Sequence, residues 1–365
     1  MINTKTIAVV VPAYNEAKQI GMVIESMPDF VDRIVIVNDA SADDTESTVK
    51  QYIDTVPSKK EIHSKSKPIQ KTLYNRADII AHEVMKKELQ WFPPSDVVNR
   101  LPDKDRIILI NQKRNFGVGA AIARGYKWCK DHQIDCTCVM AGDGQMDPAE
   151  LESICRPVID EGIDYVKGNR LIHSSSWLVI PKLRFIGNSI LSILTKIASG
   201  YWHVSDTQTG YTAISQRALR SINLYKIYKR YGMPNDMLVR LNIAFCTIKE
   251  VPIKPVYDIG EKTKMNIFRV IPSITLLLIS SFIKRLWIKY FFRDFHPLFL
   301  LYHLAFILFT ASIPFAIQIV DKVLTKGSSI VSNNLVVFVF LIISGFQSLL
   351  FAMWMDIQDN DRLYK

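Results

Sequence analysis

Val139-Met140-Ala141-Gly142-Asp143-Gly144-Gln145-Met146-Asp147-Pro148 is the stretch on which the reading of this chain turns. The apolar run at 136–141 predicts a buried strand, because a strand covered on both faces reads as a continuous hydrophobic run. A carboxylate follows, with a glycine on each side and an amide two residues on. Pro148 stands where a helix can begin, since its fixed φ suits the first helical turn. Parallel sheets present chemistry outside the carboxyl ends of their strands, so a single Asp at such a tip is a candidate site residue. Asp143 and Gln145 both offer oxygen, which suits a hard cation such as Mg2+ or Mn2+ holding a diphosphate. The same residues also suit a plain strand-to-helix turn in which Asp143 and Asp147 only cap the helix. The stretch alone leaves both readings open.

Upstream, residues 7–12 form another continuous apolar run, closed by Ala13-Tyr14-Asn15-Glu16. This predicts a buried parallel strand feeding a helix at 16–27, with Ile20, Val23, Ile24 and Met27 on one face. A strand at 33–38 ends in Asp39-Ala40-Ser41-Ala42-Asp43-Asp44-Thr45, a turn rich in helix-capping side chains. A third strand at 107–110 is followed by Asn115-Phe116-Gly117-Val118-Gly119-Ala120-Ala121 and a helix at 120–131. Glycines between a strand and a helix let backbone approach a phosphate. No third glycine falls at the spacing of a dinucleotide fingerprint, which argues against a Rossmann oxidoreductase. Downstream come a helix at 150–161 and the strand Tyr165-Val166-Lys167, ending in Gly168-Asn169-Arg170. Strands alternating with helices predict an α/β protein with a mostly parallel sheet flanked by helices. The pattern then loosens into an amphipathic helix at 183–199, a polar turn at 206–211, a helix opened by Met233-Pro234, and a strand at 251–256.

Residues 56–105 break the rhythm. They are polar and Lys-rich, with one plausible helix at 77–90, and read as an insertion. It is either a solvated excursion or a lid and basic surface for anionic lipid. The 365 residues are 48% apolar, and that excess lies in the last third. Residues 297–320 and 335–355 are each long enough to cross a bilayer core of about 30 Å. Ahead of them, 266–296 mixes apolar, aromatic and basic residues (Lys284, Arg285, Lys289, Trp287, Tyr290), as fits the headgroup layer. The positive charge lies on the α/β side, so that side, the N-terminus and the tail at 356–365 are expected to be cytoplasmic. No secretory leader is expected ahead of the first strand. The five cysteines are expected to be reduced core residues. A net charge of +10 points to an anionic membrane surface or phosphorylated substrates, with no nucleic acid expected.

Val11-Pro12-Ala13-Tyr14-Asn15-Glu16, Asn38-Asp39-Ala40-Ser41-Ala42-Asp43-Asp44-Thr45 and Ala141-Gly142-Asp143-Gly144-Gln145 resemble the three landmark motifs of family-two glycosyltransferases with a GT-A (Rossmann-like) fold. Asp206-Thr207-Gln208-Thr209-Gly210-Tyr211 and the two terminal spans are similar to the polyprenyl-phosphate branch, of which dolichol-phosphate mannose synthase is the type. The resemblance covers 1–55 and 106–355. No one of these motifs is specific; four in this order ahead of a membrane anchor are. It implies a cytoplasmic catalytic domain at 1–265, juxtamembrane helices at 266–296 and a two-helix hairpin at 297–355. It also implies an inverting transfer of one sugar from a UDP- or GDP-linked donor to undecaprenyl or dolichyl phosphate.

By the same resemblance, Pro12, Tyr14, Glu16 and Asp39 line the nucleotide pocket with Asp143, and Asp143 and Gln145 hold Mg2+ or Mn2+. Arg170 and Arg184 bind the acceptor phosphate, with Lys262 and Lys264 near a phosphate. Asp206 orients the acceptor or acts in the transfer. Ala141 replaces the first Asp of the usual Asp-x-Asp, which leaves fewer metal ligands. A processive polysaccharide synthase and a non-catalytic nucleotide-sugar-binding membrane module are the alternatives. The former is disfavoured because neither Gln-x-x-Arg-Trp nor further spans are found. A homo-oligomer stays open.

Overall fold

A computed structural model describes residues 1–56, 62, 70–173, 176, 182–256, 267–326 and 332–365. The elements run β1 (Ile7–Ala13), α1 (Ile20–Glu25), β2 (Arg33–Asn38), α2 (Thr45–Thr55), α3 (Arg76–Lys87), β3 (Ser95–Val97), β4 (Ile107–Gln112), α4 (Val118–Asp131), β5 (Cys136–Val139) and α5 (Leu151–Asp160). They continue with β6 (Tyr165–Asn169), α6 (Lys182–Ser199), β7 (Thr212–Ser215), α7 (Gln216–Ser221), α8 (Met233–Ile243), β8 (Ile248–Pro252), α9 (Ile267–Trp287), α10 (Pro297–Lys326) and α11 (Ser332–Asp361).

The strands form one sheet in the order β3-β4-β2-β1-β5-β7-β6-β8. β4, β2, β1 and β5 run parallel, as do β6 and β8. β7 lies antiparallel between β5 and β6, and β3 is an antiparallel edge. The α/β class is as expected, and the sheet is more mixed than the repeated strand-helix pattern implied. Strand direction depends on long-range pairing, so the sequence pattern does not carry it. Ser95–Val97, inside the expected insertion, joins the sheet rather than looping away.

Alternation along the strands builds two cores, one on each face. Ala8, Val10, Val35, Val37, Ile108 and Ile110 face α4 and α8. Ile7, Val9, Val11, Ile34, Ile36 and Leu109 face α1 and α5. Each such buried Val, Leu or Ile side chain contributes roughly 1.5–3 kcal/mol. The cysteines are free and buried, in keeping with their expected role.

Two helical segments, Pro297–Lys322 and Asn333–Asp361, are long and apolar enough to cross a membrane, with mean hydropathies of 2.0 and 2.5. Only 28% and 17% of their most apolar windows are buried, unlike the core helices of a soluble protein. The end of α11 does not hang free. Arg285 of α9 and Asp356 of α11, both 0% exposed, form a bidentate pair at 2.7 and 2.8 Å. Arg285 also donates to Ala198 O and Ile197 O, both at 3.0 Å, at the C-terminal end of α6. Gly200 is required beside it, because a Cβ there would lie 2.3 Å from Arg285 Nη1. Leu363 packs in the core, and Ile248 N donates to Leu363 O at 2.7 Å, so the last residues extend the β8 edge.

Candidate functional site

The sheet directions decide what meets at its edge. β1, β2, β4 and β5 end there, and so does β6, because β6 and β5 both run antiparallel to β7. β7 begins at that edge, with Thr212 opposite Val139. The residues after β5, those after β6 and those before β7 are therefore neighbours, although 143, 170 and 206 are far apart in sequence.

The loops after β1 and β2 are knitted together by short polar side chains. Asn15, at φ 56°, accepts from Ala42 N through Oδ1 at 2.8 Å, and its own N donates to Ser41 Oγ at 2.9 Å. Glu16 N donates to Thr45 Oγ1 at 3.0 Å and Ala17 N to Asp43 Oδ2 at 3.0 Å. The helix expected at 16–27 thus begins only at Ile20, since this knot holds residues 14–17 out of helical conformation. Pro12 O accepts from Gly142 N at 3.3 Å, Tyr14 is 38% exposed and Glu16 is half-buried. Asp39 is buried, and its two oxygens accept from Phe116 N and Gly117 N, each at 2.8 Å. Burial raises its carboxyl pKa, and these two N–H groups partly offset the rise. Asp39 is thus a tie between the β2 and β4 loops.

Gly117 and Gly119 differ from expectation. A Cβ at Gly119 would lie 2.1 Å from Tyr228 O, and one at Gly117 would lie 2.5 Å from Lys229 O. Ala120 N donates to Lys229 O at 3.2 Å. The close approach these glycines allow is taken up, on their Cβ side, by the protein's own chain.

In the turn after β5, Asp147 is the cap: its Oδ1 accepts from Ala149 N at 2.9 Å. Asp143 instead accepts from Gln145 N at 3.1 Å, within a loop made possible by Gly144 at φ 77°. One carboxylate and one amide fit Mg2+ or Mn2+, which are commonly held by one or two carboxylates, water and substrate phosphates. Ala141 adds no ligand.

Asp206 is 1% exposed. Its Oδ2 accepts from Arg170 N at 3.1 Å and Nε at 2.8 Å; its Oδ1 accepts from Arg170 Nη2 at 3.0 Å and Thr209 N at 3.2 Å. Burial would raise its pKa, yet Arg170 and Lys167 hold it below the ordinary carboxylate value. Four bonds fill the four lone-pair sites of a carboxylate, so Asp206 clamps Arg170. Arg170, Gln145, Met146, Asp147, Gly210 and Lys254 line one cleft, which joins the turn after β5 to the arginine.

Arg184 lies on α6, but its side chain falls outside the described residues, as do Lys262 and Lys264. The sequence reading gave no role to Lys167 or Glu250, both beneath the Asp206 loop. The signal was present: a lysine at the centre of an otherwise buried strand, Tyr165-Val166-Lys167-Gly168-Asn169, needs a buried partner.

The family model described as glycosyl transferase family 2 matches residues 8–74 and 95–222. The UDP-N-acetylglucosamine–dolichyl-phosphate N-acetylglucosaminyltransferase of Methanococcus voltae is 28% identical over 254 residues, covering 69% of this chain and 86% of that protein. The polyprenol monophosphomannose synthase of Mycolicibacterium smegmatis is 26% identical over 155 residues, covering 42% of this chain and 57% of that protein. A solved structure of glucosyl-3-phosphoglycerate synthase from Mycobacterium tuberculosis, in complex with Mn2+, UDP and glucosyl-3-phosphoglycerate, is a distant likeness. It is 18% identical, covers 77% of this chain and 80% of that one, and has a TM-score of 0.45.

Proposed function

The chain belongs to glycosyl transferase family 2, and from that premise we propose that it moves one sugar from a UDP- or GDP-linked donor to a polyprenyl phosphate at a membrane surface. The observation that carries this is the shared cleft: Gln145 of the Asp143 turn and the Asp206-clamped Arg170 line the same opening. Sugar transfer onto a phosphate needs one anionic leaving group and one anionic acceptor held side by side, and the cleft has a candidate feature for each. The two apolar helices fit an acceptor with a long lipid tail, and the M. voltae and M. smegmatis relatives are named for such acceptors.

Asp143 and Gln145 would hold Mg2+ or Mn2+, which when bound neutralises the departing diphosphate. Tyr14, Glu16 and the Asp39-tied loops form the wall for base and ribose. Arg170, oriented by Asp206, meets the acceptor phosphate with a planar fork suited to that oxyanion. The acceptor oxygen is already ionised at neutral pH, so no strong general base is required. Displacement at the anomeric carbon in one step inverts its configuration. Arg184, Lys262 and Lys264 are assigned to the phosphates by resemblance. The basic residues ahead of the two apolar helices support a cytoplasmic catalytic domain and cytoplasmic termini.

Full-length protein in lipid nanodiscs, supplied with Mg2+ or Mn2+, polyprenyl phosphate and a panel of UDP- and GDP-sugars, tests the proposal. A mild-acid-labile lipid-linked monosaccharide is expected from at least one donor. Long polymer, or donor binding without any turnover across the panel, would overturn it in favour of a processive synthase or a binding module.

A further inference from the structure

The loop that carries Asp206 rests on a second pair of charges. Lys167, in the middle of β6, is 0% exposed, and its Nζ donates to Thr209 O at 2.9 Å. Directly opposite it in the parallel β6–β8 register is Glu250. The Glu250 carboxylate accepts from Ser205 N at 3.1 and 3.0 Å, from Ser205 Oγ at 2.9 Å and from Asp206 N at 3.0 Å. Asn169 Nδ2 adds a bond to Ser205 Oγ at 2.8 Å. The stretch 205–209 is therefore held at its start by Glu250 and at its end by Lys167. A buried ammonium and a buried carboxylate, Lys167 and Asp206, are costly to desolvate, and such a cluster persists only where the charges compensate one another.

We propose that Lys167 and Glu250 are positioning residues for the acceptor half of the site: together they fix the 205–209 loop, and through Asp206 they aim the Arg170 guanidinium. This rests on the acceptor reading above. Neither residue lines the cleft, so both act through Asp206. The charged groups facing Lys167 are Asp206 and Glu250, which favour its ammonium, and Arg170, which opposes it. Desolvation outweighs them and brings Lys167 down to about 8. When its proton leaves, Thr209 O loses an ionic donor and the Asp206 and Glu250 carboxylates lose a nearby positive charge, so the loop loosens.

The sign of the pH effect separates this role from a purely structural one. Because the folded-state value lies below the ordinary lysine value, the unfolded chain holds more protons than the fold between about pH 8 and the ordinary lysine range, about 10.4. This group therefore makes the fold more stable as pH rises through that window. Transfer requires the ammonium and falls over the same window, so activity and stability move in opposite directions.

The test uses full-length wild type, Lys167→Met and Glu250→Gln in nanodiscs, with the donor that the panel identifies. Nucleotide affinity is read by calorimetry, kcat and acceptor KM by transfer to polyprenyl phosphate from about pH 6 to about pH 10, and folding by thermal unfolding. Lys167→Met is expected to bind nucleotide as wild type does, to lose on the order of 10- to 100-fold in kcat, and to lose the alkaline limb near pH 8. Glu250→Gln removes a carboxylate that favours the ammonium, so its alkaline limb moves to lower pH. If Lys167→Met does not fold, the Glu250→Gln shift and the wild-type limb still decide the matter. Wild-type kcat with an unmoved alkaline limb in the variants overturns the inference. Absence of transfer by the wild type is a different result: it overturns the acceptor reading first, and the inference with it.

Discussion

The two groups of loops at this edge of the sheet are held by different physics. On the β1–β2–β4 side, the loops are held by neutral or singly charged side chains bonding to backbone N–H groups: Asn15 to Ala42, Ser41 to Asn15, Asp39 to Phe116 and Gly117. On the β6–β7–β8 side, the loop is held by four charged side chains: Arg170 pairs with Asp206, Glu250 accepts from Ser205 N and Asp206 N, and Lys167 donates to Thr209 O. The first arrangement suits a recurrent neutral-and-phosphate ligand such as a nucleotide, since backbone donors keep their positions at any pH. The second can be tuned, because a buried charge network depends on every member. The difference teaches that, on the proposed reading, donor binding and acceptor handling should be mechanically separable.

That separation can be broken by experiment. The largest expected effect is at the junction. Asp143→Ala should lower transfer by on the order of 10³-fold, with an unchanged unfolding temperature; wild-type turnover would remove Asp143 from the metal site. Next is Arg170→Lys, which trades a planar fork for a point charge. Acceptor KM should rise and kcat fall by on the order of 10²-fold, while nucleotide affinity stays constant in calorimetry; a matching loss of nucleotide affinity would erase the distinction between the halves.

Third is Asp356→Ala, which leaves Arg285 buried without its partner and should destabilise the fold by about 3–5 kcal/mol, read by chemical denaturation. By the same reasoning, a chain ended after Phe292 should not yield a folded soluble domain, because Arg285 and the β8 edge would both lose their partners. Smallest is Asp39→Asn. Phe116 N and Gly117 N bond to different carboxylate oxygens, and the amide turns one of these into an NH2 donor facing an N–H, so about 1–3 kcal/mol of stability is lost and nucleotide affinity weakens, with acceptor KM unmoved.

Much of the donor half was legible in the sequence, because its parts are local. A buried strand followed by a short polar turn announces itself within ten residues, as 7–16, 33–45 and 136–148 do. The partner of Gly117 and Gly119 is not legible there, for the complementary reason. Glycine signals close approach without saying to what, and the partner, Tyr228-Lys229, lies over a hundred residues away. Helix 16–27 was drawn too early because amphipathic spacing at Ile20, Val23 and Ile24 does not register a side-chain knot with residues 41–45. Asp206 and Arg170 were each singled out, but as separate groups. That they bond to one another follows only from β7 entering the sheet antiparallel between β5 and β6.

The sequence by itself determined the α/β class, the strand-end motifs, the Asp143 turn and the two apolar helices, because each is written in local periodicity and residue type. Only the tertiary structure decided which charges pair. The charged contacts join residues chosen by sheet register and helix docking: Lys167 with the Thr209 carbonyl, Arg170 with Asp206, Arg285 with Asp356. Nothing in the local sequence around one member names the other, since the energy that selects it is the cost of leaving a charge buried alone, and that cost exists only once the chain is folded.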